Sequence, residues 1–405
     1  MDRGLREAGV EVHLDVDGVA ELEGIKLVIK SPGVPQSARV IEVARERGVP
    51  VIGELELAWR ALSNPFVAVT GTNGKTTVVE WLGHVWREAG MPVVVAGNVG
   101  TPLASLPATI DEYATVVCEC SSFQLEDSAA FAPEVAVLLN VTPDHIDRHG
   151  SLEAYRDAKL RIFAGQTETD FAIFDADLVP FVASSRPGRG ATIAYGASAC
   201  AEGGCLVRLR DGAIEVDGVP LVPLEELALA GEHNVRNAMA VAATALCGGV
   251  PRGAIGRGLR TFAGVPHRLE RVAEIRGVLY VNDSKATNVA ASEAALRSFG
   301  ERGVHAILGG SLKGGSFDGL WPAVKASCRG AYLIGEAADA LEEALAPAGV
   351  PVRRSGTLER AVADATAAAT PGDVVLLAPA CASFDQFEDF EHRGARFREI
   401  VGELE

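Results

Sequence analysis

The sequence predicts an α/β protein of two or three domains organised around parallel sheets, and three features predict it. Short apolar runs alternate with longer helical segments, the pattern of strand–helix–strand units. A chain of 405 residues at 48% hydrophobic content is long enough for several packed cores. Gly71-Thr72-Asn73-Gly74-Lys75-Thr76-Thr77 stands between an apolar run at 66–69 and a helical segment at 78–89 that stops at Gly90. Strand, glycine-rich turn and helix in that order make a polyphosphate cradle.

Residues 1–63 form the first region, with strands expected at 10–14 and 27–30 and helices at 38–47 and 55–62. Ser31-Pro32-Gly33-Val34-Pro35 makes a turn at a strand's carboxyl end, the edge where open α/β sheets bind ligands. The region is small for a doubly wound unit, lacks an opening strand and glycine turn, and begins inside its first helix. Residues 64–264 form the second region. After the strand at 66–69, apolar runs at 93–95, 114–118, 135–139 and 171–174 predict a parallel sheet. Asp211-Gly212 and Asp217-Gly218 punctuate β-type runs between 206 and 221, which reads as a small hairpin insert. The alanine-rich stretch 232–247 reads as a helix ended by Gly248-Gly249. Residues 265–405 follow a hinge at Gly264-Val265-Pro266. Strands at 278–281, 306–308, 332–334 and 374–377 alternate with helices at 289–298, 337–345, 358–369 and 390–401, a further doubly wound domain.

Net charge is -17 without a basic run, which argues against nucleic acid and anionic membrane surfaces as main partners. A nucleotide needs only a local positive site and is not excluded. No apolar run reaches the roughly eighteen residues of a spanning helix, and Met1-Asp2-Arg3-Gly4 does not open a signal segment. Seven irregularly spaced cysteines fit reduced thiols, so a cytoplasmic protein is expected. Cys118 and Cys120 share one face of a strand without zinc-site spacing, and Cys200 and Cys205 flank Gly203-Gly204 in a loop, where a disulfide is the alternative to reduced thiols.

The chemistry-bearing residues gather at strand ends. Lys75 supplies a mobile cation to a phosphate, and the Thr76 hydroxyl can join a Mg²⁺ shell. The general phosphate-loop pattern wants glycine at position 69, where this chain has Val69. Glu119 closes the run 114–118 and is either a metal-binding carboxylate or a solvated strand-end acid. His145, in Asn140-Val141-Thr142-Pro143-Asp144-His145-Ile146-Asp147, can bind a second metal, orient substrate, or be structural. Lys159 lies in a helix at 152–163 with a broad apolar face. It is either buried beside Tyr155, Ile162 and Phe163, or a lysine whose stem lies on the helix and whose head reaches water, which spacing alone favours. Asn234 and Asn237 share a face at a helix start, where they cap the helix or bind a nucleotide. In the third region Arg268 can neutralise a phosphate, and Asp283 ends a strand where it can bind a ribose hydroxyl or a metal. Lys285 and Thr287 follow it. Loops at 309–315, carrying Lys313, and at 379–387, carrying Ser383, also follow strands. They are expected to converge on one edge that receives a small anionic acceptor, or else to be ordinary turns.

Taken together, the Gly71–Thr77 loop, Glu119-Cys120-Ser121-Ser122-Phe123-Gln124-Leu125-Glu126, Asn282-Asp283-Ser284-Lys285-Ala286-Thr287-Asn288 and Pro379-Ala380-Cys381-Ala382-Ser383-Phe384-Asp385-Gln386-Phe387 resemble the Mur ligase family, from about Ser31 to the end of the chain. Within it, the resemblance is to the branch that adds D-glutamate to UDP-N-acetylmuramoyl-L-alanine. It implies a truncated Rossmann-like domain at 1–63 that binds the UDP-substrate, a central P-loop ATPase domain at 64–264, and a Rossmann-like domain at 265–405 that brings the amino acid. It implies a monomeric cytoplasmic enzyme of peptidoglycan precursor synthesis that uses ATP and two Mg²⁺ ions. The substrate carboxylate is phosphorylated to an acyl phosphate, and the amine of D-glutamate then displaces phosphate.

The resemblance assigns Gly71, Thr72, Asn73, Gly74, Lys75, Thr76 and Thr77 to ATP, with Lys75 on the transferring phosphate. Thr76 and Glu119 resemble ligands of one Mg²⁺. His145 and a carbamylated Lys159 resemble those of the second. Asn237, Arg268 and Asp283 match nucleotide contacts. Ser31, Gly33 and Asn98 match the UDP-substrate side, and Lys285, Thr287, Lys313, Ser383 and Phe390 match the D-glutamate side. Two departures stand out. The family's amino-terminal glycine turn is missing, as a truncated start or a reduced first domain would leave it. Asp389 also precedes Phe390 where a neutral amide is expected. A nucleotide-binding protein without turnover and a folate-polyglutamating relative are the alternatives.

Overall fold

A computed structural model describes residues 2–98, 100–185, 188–196, 205–229, 231–300, 302–312 and 316–404. The chain divides into two compact units, Met1–Ala263 and Gly264–Glu405.

After a short helix at Asp2–Glu7, the first unit lays down a short parallel pair, β1 (Val28–Lys30) and β2 (Val51–Gly53), joined through the helix Arg39–Glu46. Leu22, Val43 and Ala44 fill a small core beneath them. The strand expected at 10–14 does not form. Val10 and Leu14 are 47% and 58% exposed, so their alternation has no sheet to join. The next helix, Glu54–Ala61, sends Leu55 and Ala58 into the core of the larger sheet that follows.

That sheet comprises β3 (Phe66–Thr70), β4 (Val93–Gly97), β5 (Thr115–Glu119), β6 (Val135–Leu138), β7 (Phe171–Asp175), β8 (Ala191–Gly196), β9 (Cys205–Arg210), β10 (Ala213–Val216) and β11 (Val219–Pro223). Its order is β11-β10-β9-β8-β7-β6-β3-β5-β4. Pairing is parallel from β4 through β9 and antiparallel across β9, β10 and β11. The segment expected as a hairpin insert therefore extends the main sheet, because β9 lies parallel against β8. From β3 the chain goes out to β4, returns to β5, and then passes to β6 on the other flank. The carboxyl ends of β5, β3 and β6 thus meet at a topological switch point, with Val69 level with Glu119 and Thr70 level with Leu138.

The second unit holds β12 (Glu270–Ile275), β13 (Val278–Asn282), β14 (Val304–Gly309), β15 (Cys328–Ile334), β16 (Val352–Gly356) and β17 (Val374–Leu377), in the order β12-β13-β17-β14-β15-β16. Only the pairing of β12 is antiparallel. Side chains alternate between two covered faces. Leu279, Val281, Ala306, Leu308 and Leu376 enter one core, and Val278, Tyr280, Ile307, Val375 and Leu377 enter the other. The last strand, β17, inserts between β13 and β14, so their carboxyl ends form another switch point. A bridge between Ser311 and Ala382 ties two of the loops there. Among the described residues, no helix is long and apolar enough to cross a membrane.

Candidate active site

The glycine-rich turn begins where β3 stops at Thr70. The following helix spans Lys75–Glu88 and so starts three residues earlier than its apolar pattern predicts. Gly74 explains the early start. It caps the helix at φ +86°, and a Cβ there would lie 2.7 Å from Asn237 Oδ1. The amides of the first turn have no carbonyl within the helix to bond, which leaves that end suited to an anion. Val69 is buried inside β3, so the turn simply opens at Gly71 and needs no glycine at 69.

Lys75 Nζ folds back over the loop, 2.9 Å from Gly71 O and 3.0 Å from Thr72 O. The amides of Thr72 and Asn73 donate to Asn140 Oδ1 at 3.1 and 2.9 Å, and Asn140 Nδ2 donates to Asn73 O at 3.1 Å. Asn140 clamps the loop, a role the sequence reading missed. Its only signal was its place just past β6.

At the end of β5, Glu119 is 2% exposed. Its Oε2 accepts from Thr76 Oγ1 at 2.8 Å and its Oε1 from Asn98 Nδ2 at 3.0 Å. Asn98, expected on the UDP-substrate side, thus lies against the carboxylate itself. Gly97 permits this approach, since a Cβ there would come within 2.3 Å of Glu119 O. Both hydrogen-bond partners of Glu119 are neutral, and a buried carboxylate beside a hydroxyl is a hard-oxygen donor set. Cys118 and Cys120 flank it as free, buried thiols with their Sγ atoms 3.5 Å apart. Their mutual hydrogen bond and burial hold the Cys118 thiol well above its ordinary pKa.

Lys159 is buried, 1% exposed, which corrects the reading of a side chain reaching water. Its helix, Leu152–Ala164, turns Tyr155, Ala158, Ile162 and Phe163 inward with it. Lys159 Nζ donates to Gly71 O at 2.8 Å and sits 4.5 Å from the centre of the Tyr155 ring. Burial and then the charge of Lys75 push its pKa down to about 7.

Tyr155 OH pairs with Thr72 Oγ1 at 3.0 Å, joining this helix to the loop. His145 adopts a left-handed backbone at φ +51° and packs its ring 4.9 Å from Phe123 and 6.5 Å from Tyr155. His145 and Lys159 therefore share Tyr155 as a neighbour. Among the described residues, no cluster of three or more His, Cys, Asp and Glu side chains is assembled for a metal. Asn234 and Asn237 do not cap their helix, Glu232–Cys247, whose cap is Gly231. Asn237 Nδ2 instead points to Asn234 Oδ1 at 3.4 Å.

The second unit gathers its own loops. Asp283, at the end of β13, is buried and accepts the Leu269 amide at 3.1 Å. Burial pushes its pKa up to about 6, with Arg268 and Lys285 opposing. Lys285 Nζ lies 6.0 Å from the Phe390 ring centre. Thr287 follows in the same turn, its amide on Lys285 O at 2.8 Å. Ser383 is buried in the loop after β17, and Lys313 falls outside the described residues.

Arg393, absent from the sequence-based site, holds these loops together. Its fully buried guanidinium donates to Ser284 Oγ at 2.9 Å and to the carbonyls of Ser284, Cys381, Ala382 and Gly309 at 3.0, 3.1, 3.2 and 3.4 Å. Asp389, the acid found where an amide was expected, caps the helix Phe390–Gly402 by accepting the His392 amide at 2.7 Å.

Comparison with known proteins identifies the family. The family described as Mur ligase middle domain matches residues 69–245, and that described as Mur ligase, glutamate ligase domain matches residues 267–381. A UDP-N-acetylmuramoylalanine--D-glutamate ligase of Acidobacterium capsulatum is 44% identical over 98% of this chain and 87% of its own length. The protein of the same name from Koribacter versatilis is 41% identical over 99% of this chain and 88% of its own. Among solved structures, the UDP-N-acetylmuramate-alanine ligase MurC of Thermotoga maritima shares the fold at a TM-score of 0.56 and 21% identity, over 99% of this chain and 90% of that one. The MurF ligase of Thermotoga maritima, solved in complex with ADP, does so at 0.55 and 20%, over 95% and 97%. With near-full-length identity of this size, the chain belongs to the Mur ligase family.

Proposed function

We propose that the chain is an ATP-dependent ligase that joins D-glutamate to UDP-N-acetylmuramoyl-L-alanine in cytoplasmic peptidoglycan precursor synthesis. The observation that carries this reading is the Gly71–Thr77 turn at a helix start, with Lys75 folded over it and Glu119 hydrogen-bonded to Thr76. The names of the relatives cited above supply the acceptor and the amino acid.

In the proposed reaction the alanyl carboxylate attacks the γ-phosphorus of ATP, and ADP leaves with the electrons of the broken phosphoanhydride bond. The amine of D-glutamate then attacks the acyl phosphate carbon, phosphate departs, and the amine gives up a proton as the amide forms. Little covalent chemistry falls to the protein, whose work is positioning and charge neutralisation. Lys75 neutralises the transferring phosphate, and the amides at the start of its helix receive phosphate oxygens. Thr76 and Glu119 would hold a Mg²⁺ ion, which supplies further neutralisation of phosphate charge when bound.

Lys159 suits conversion to a carbamate. With a pKa near 7 its amine is partly neutral at neutral pH, the form that adds CO₂ and releases a proton. The anionic product would, with His145, hold a second Mg²⁺. Asn237, Arg268 and Asp283 are assigned to the nucleotide, Ser31, Gly33 and Asn98 to the UDP-substrate. Lys285, Thr287, Lys313, Ser383 and Phe390 are assigned to D-glutamate.

Phosphate release with UDP-N-acetylmuramoyl-L-alanine and a panel of amino acids tests the reading. Release is expected to be greatest with D-glutamate. Preference for L-lysine, diaminopimelate or L-alanine, activity only with a folate and L-glutamate, or ATP binding without product would each reject it.

A further inference from the structure

The turn assigned to the UDP-substrate is held from within by two cations that meet on one carbonyl. Lys30, buried at the end of β1, places Nζ 2.6 Å from Asp127 Oδ2 and 2.8 Å from Val34 O. Arg148 Nη2 reaches the same Val34 O at 3.0 Å and Pro32 O at 3.4 Å. Asp127 also accepts from Gln36 Nε2 at 2.6 Å, and its own carbonyl takes the Gly53 amide at 3.1 Å. Ser31 and Gly33, between these anchors, stay exposed.

Arg148 is itself fixed. Its guanidinium carbon lies 5.0 Å from the Phe123 ring centre, and Nη2 lies 3.8 Å from Glu126 Oε2. It belongs to the short helix Ile146–His149, which His145 immediately precedes. The Phe123 ring therefore carries Arg148, and His145 packs against the same ring at 4.9 Å. A planar guanidinium can span two carbonyls while stacking on a ring. Both carbonyls bond to the one Nη2 nitrogen, so what an ammonium would lose is the flat guanidinium face set against the Phe123 ring.

We propose that Arg148 is a positioning residue for the UDP-substrate: it registers the 31–35 turn against the His145 loop, so that the bound uridine diphosphate end and the reacting carboxylate end are set by one short helix. The assignment rests on the ligase reading above.

Steady-state kinetics of Arg148→Ala and Arg148→Lys in the full chain test it, with thermal melts to confirm folding. Arg148→Ala is expected to raise KM for UDP-N-acetylmuramoyl-L-alanine roughly ten- to a hundredfold, the scale of a lost charge-assisted hydrogen bond, with KM for ATP within about twofold. Arg148→Lys, which keeps the charge and much of the packing, is expected to give a smaller rise and decides the matter if the alanine variant does not fold. An unchanged KM for the UDP-substrate, or a KM for ATP that rises in step with it, would overturn the role while leaving the ligase reading intact. Absence of turnover in the unsubstituted chain would instead remove the ligase reading and this role together.

Discussion

Replacing Arg393 by methionine removes the side chain that joins three loops of the second unit. The substitution keeps most of the buried volume but strips donors from Ser284 Oγ and from the carbonyls of Ser284, Cys381, Ala382 and Gly309. Three of those bonds are 3.1 Å or shorter. At about 1.5 kcal/mol for each hydrogen bond to a charged group, they total ~4–5 kcal/mol. Burial opposes this gain, since it lowers the guanidinium pKa to about 10. The buried carbonyls of Ser284 and Cys381, left without this donor, each add about 1 kcal/mol to the loss, so a net loss of about 3 kcal/mol is expected. For a unit of this size that corresponds to a fall of roughly 10 °C in its unfolding midpoint. Calorimetry reads the midpoint, and amide exchange at 309–311 and 381–385 reports the loops directly. A midpoint shift under about 3 °C, with exchange at those amides unchanged, would refute the role given to Arg393.

Further outcomes follow from the site. Lys75→Ala is expected to lower kcat by at least ~10²-fold through loss of charge on the transferring phosphate, and near-normal phosphate release would contradict that. Short carboxylic acids are expected to restore part of the activity of Lys159→Ala if a carbamate is the working form, measured as phosphate release against added acid. Asp283 has a folded pKa near 6, above its ordinary value of 3.8, so the folded state binds the extra proton and stability falls as pH rises from about 4 to 6. Asp283→Asn is accordingly expected to stabilise the chain at pH 8 and to have little effect at pH 4, checked by urea unfolding at both.

Elements whose pattern is local were legible. The helix Glu232–Cys247 and the strand β17 lie where alanine-rich periodicity and an apolar run put them. The glycine-rich turn before the helix Lys75–Glu88 was legible because Gly71, Gly74 and Lys75 lie within five residues of one another. Elements whose burial depends on partners were not. β12 and β16 are edge strands bearing Glu270, Arg271 and Glu274, or Arg353 and Arg354, so charged residues interrupt each strand and the apolar signal fades. Asn140 acts on a loop 67 residues away, and Arg393 ties a loop 11 to 12 residues away to two others 84 and 109 residues away, distances no periodicity encodes. Lys159 illustrates the same limit, since only the packed sheet shows which side of its helix is dry.

The outermost strand of the large sheet, β11, spends two of its five residues, Pro220 and Pro223, on side chains that leave no backbone N–H. An incoming chain seeking to lengthen the sheet would find an incomplete row of donors there. That border is a poor template for strand-by-strand growth, so a ribbon of nine strands can end in water with little tendency to recruit a tenth from a neighbour.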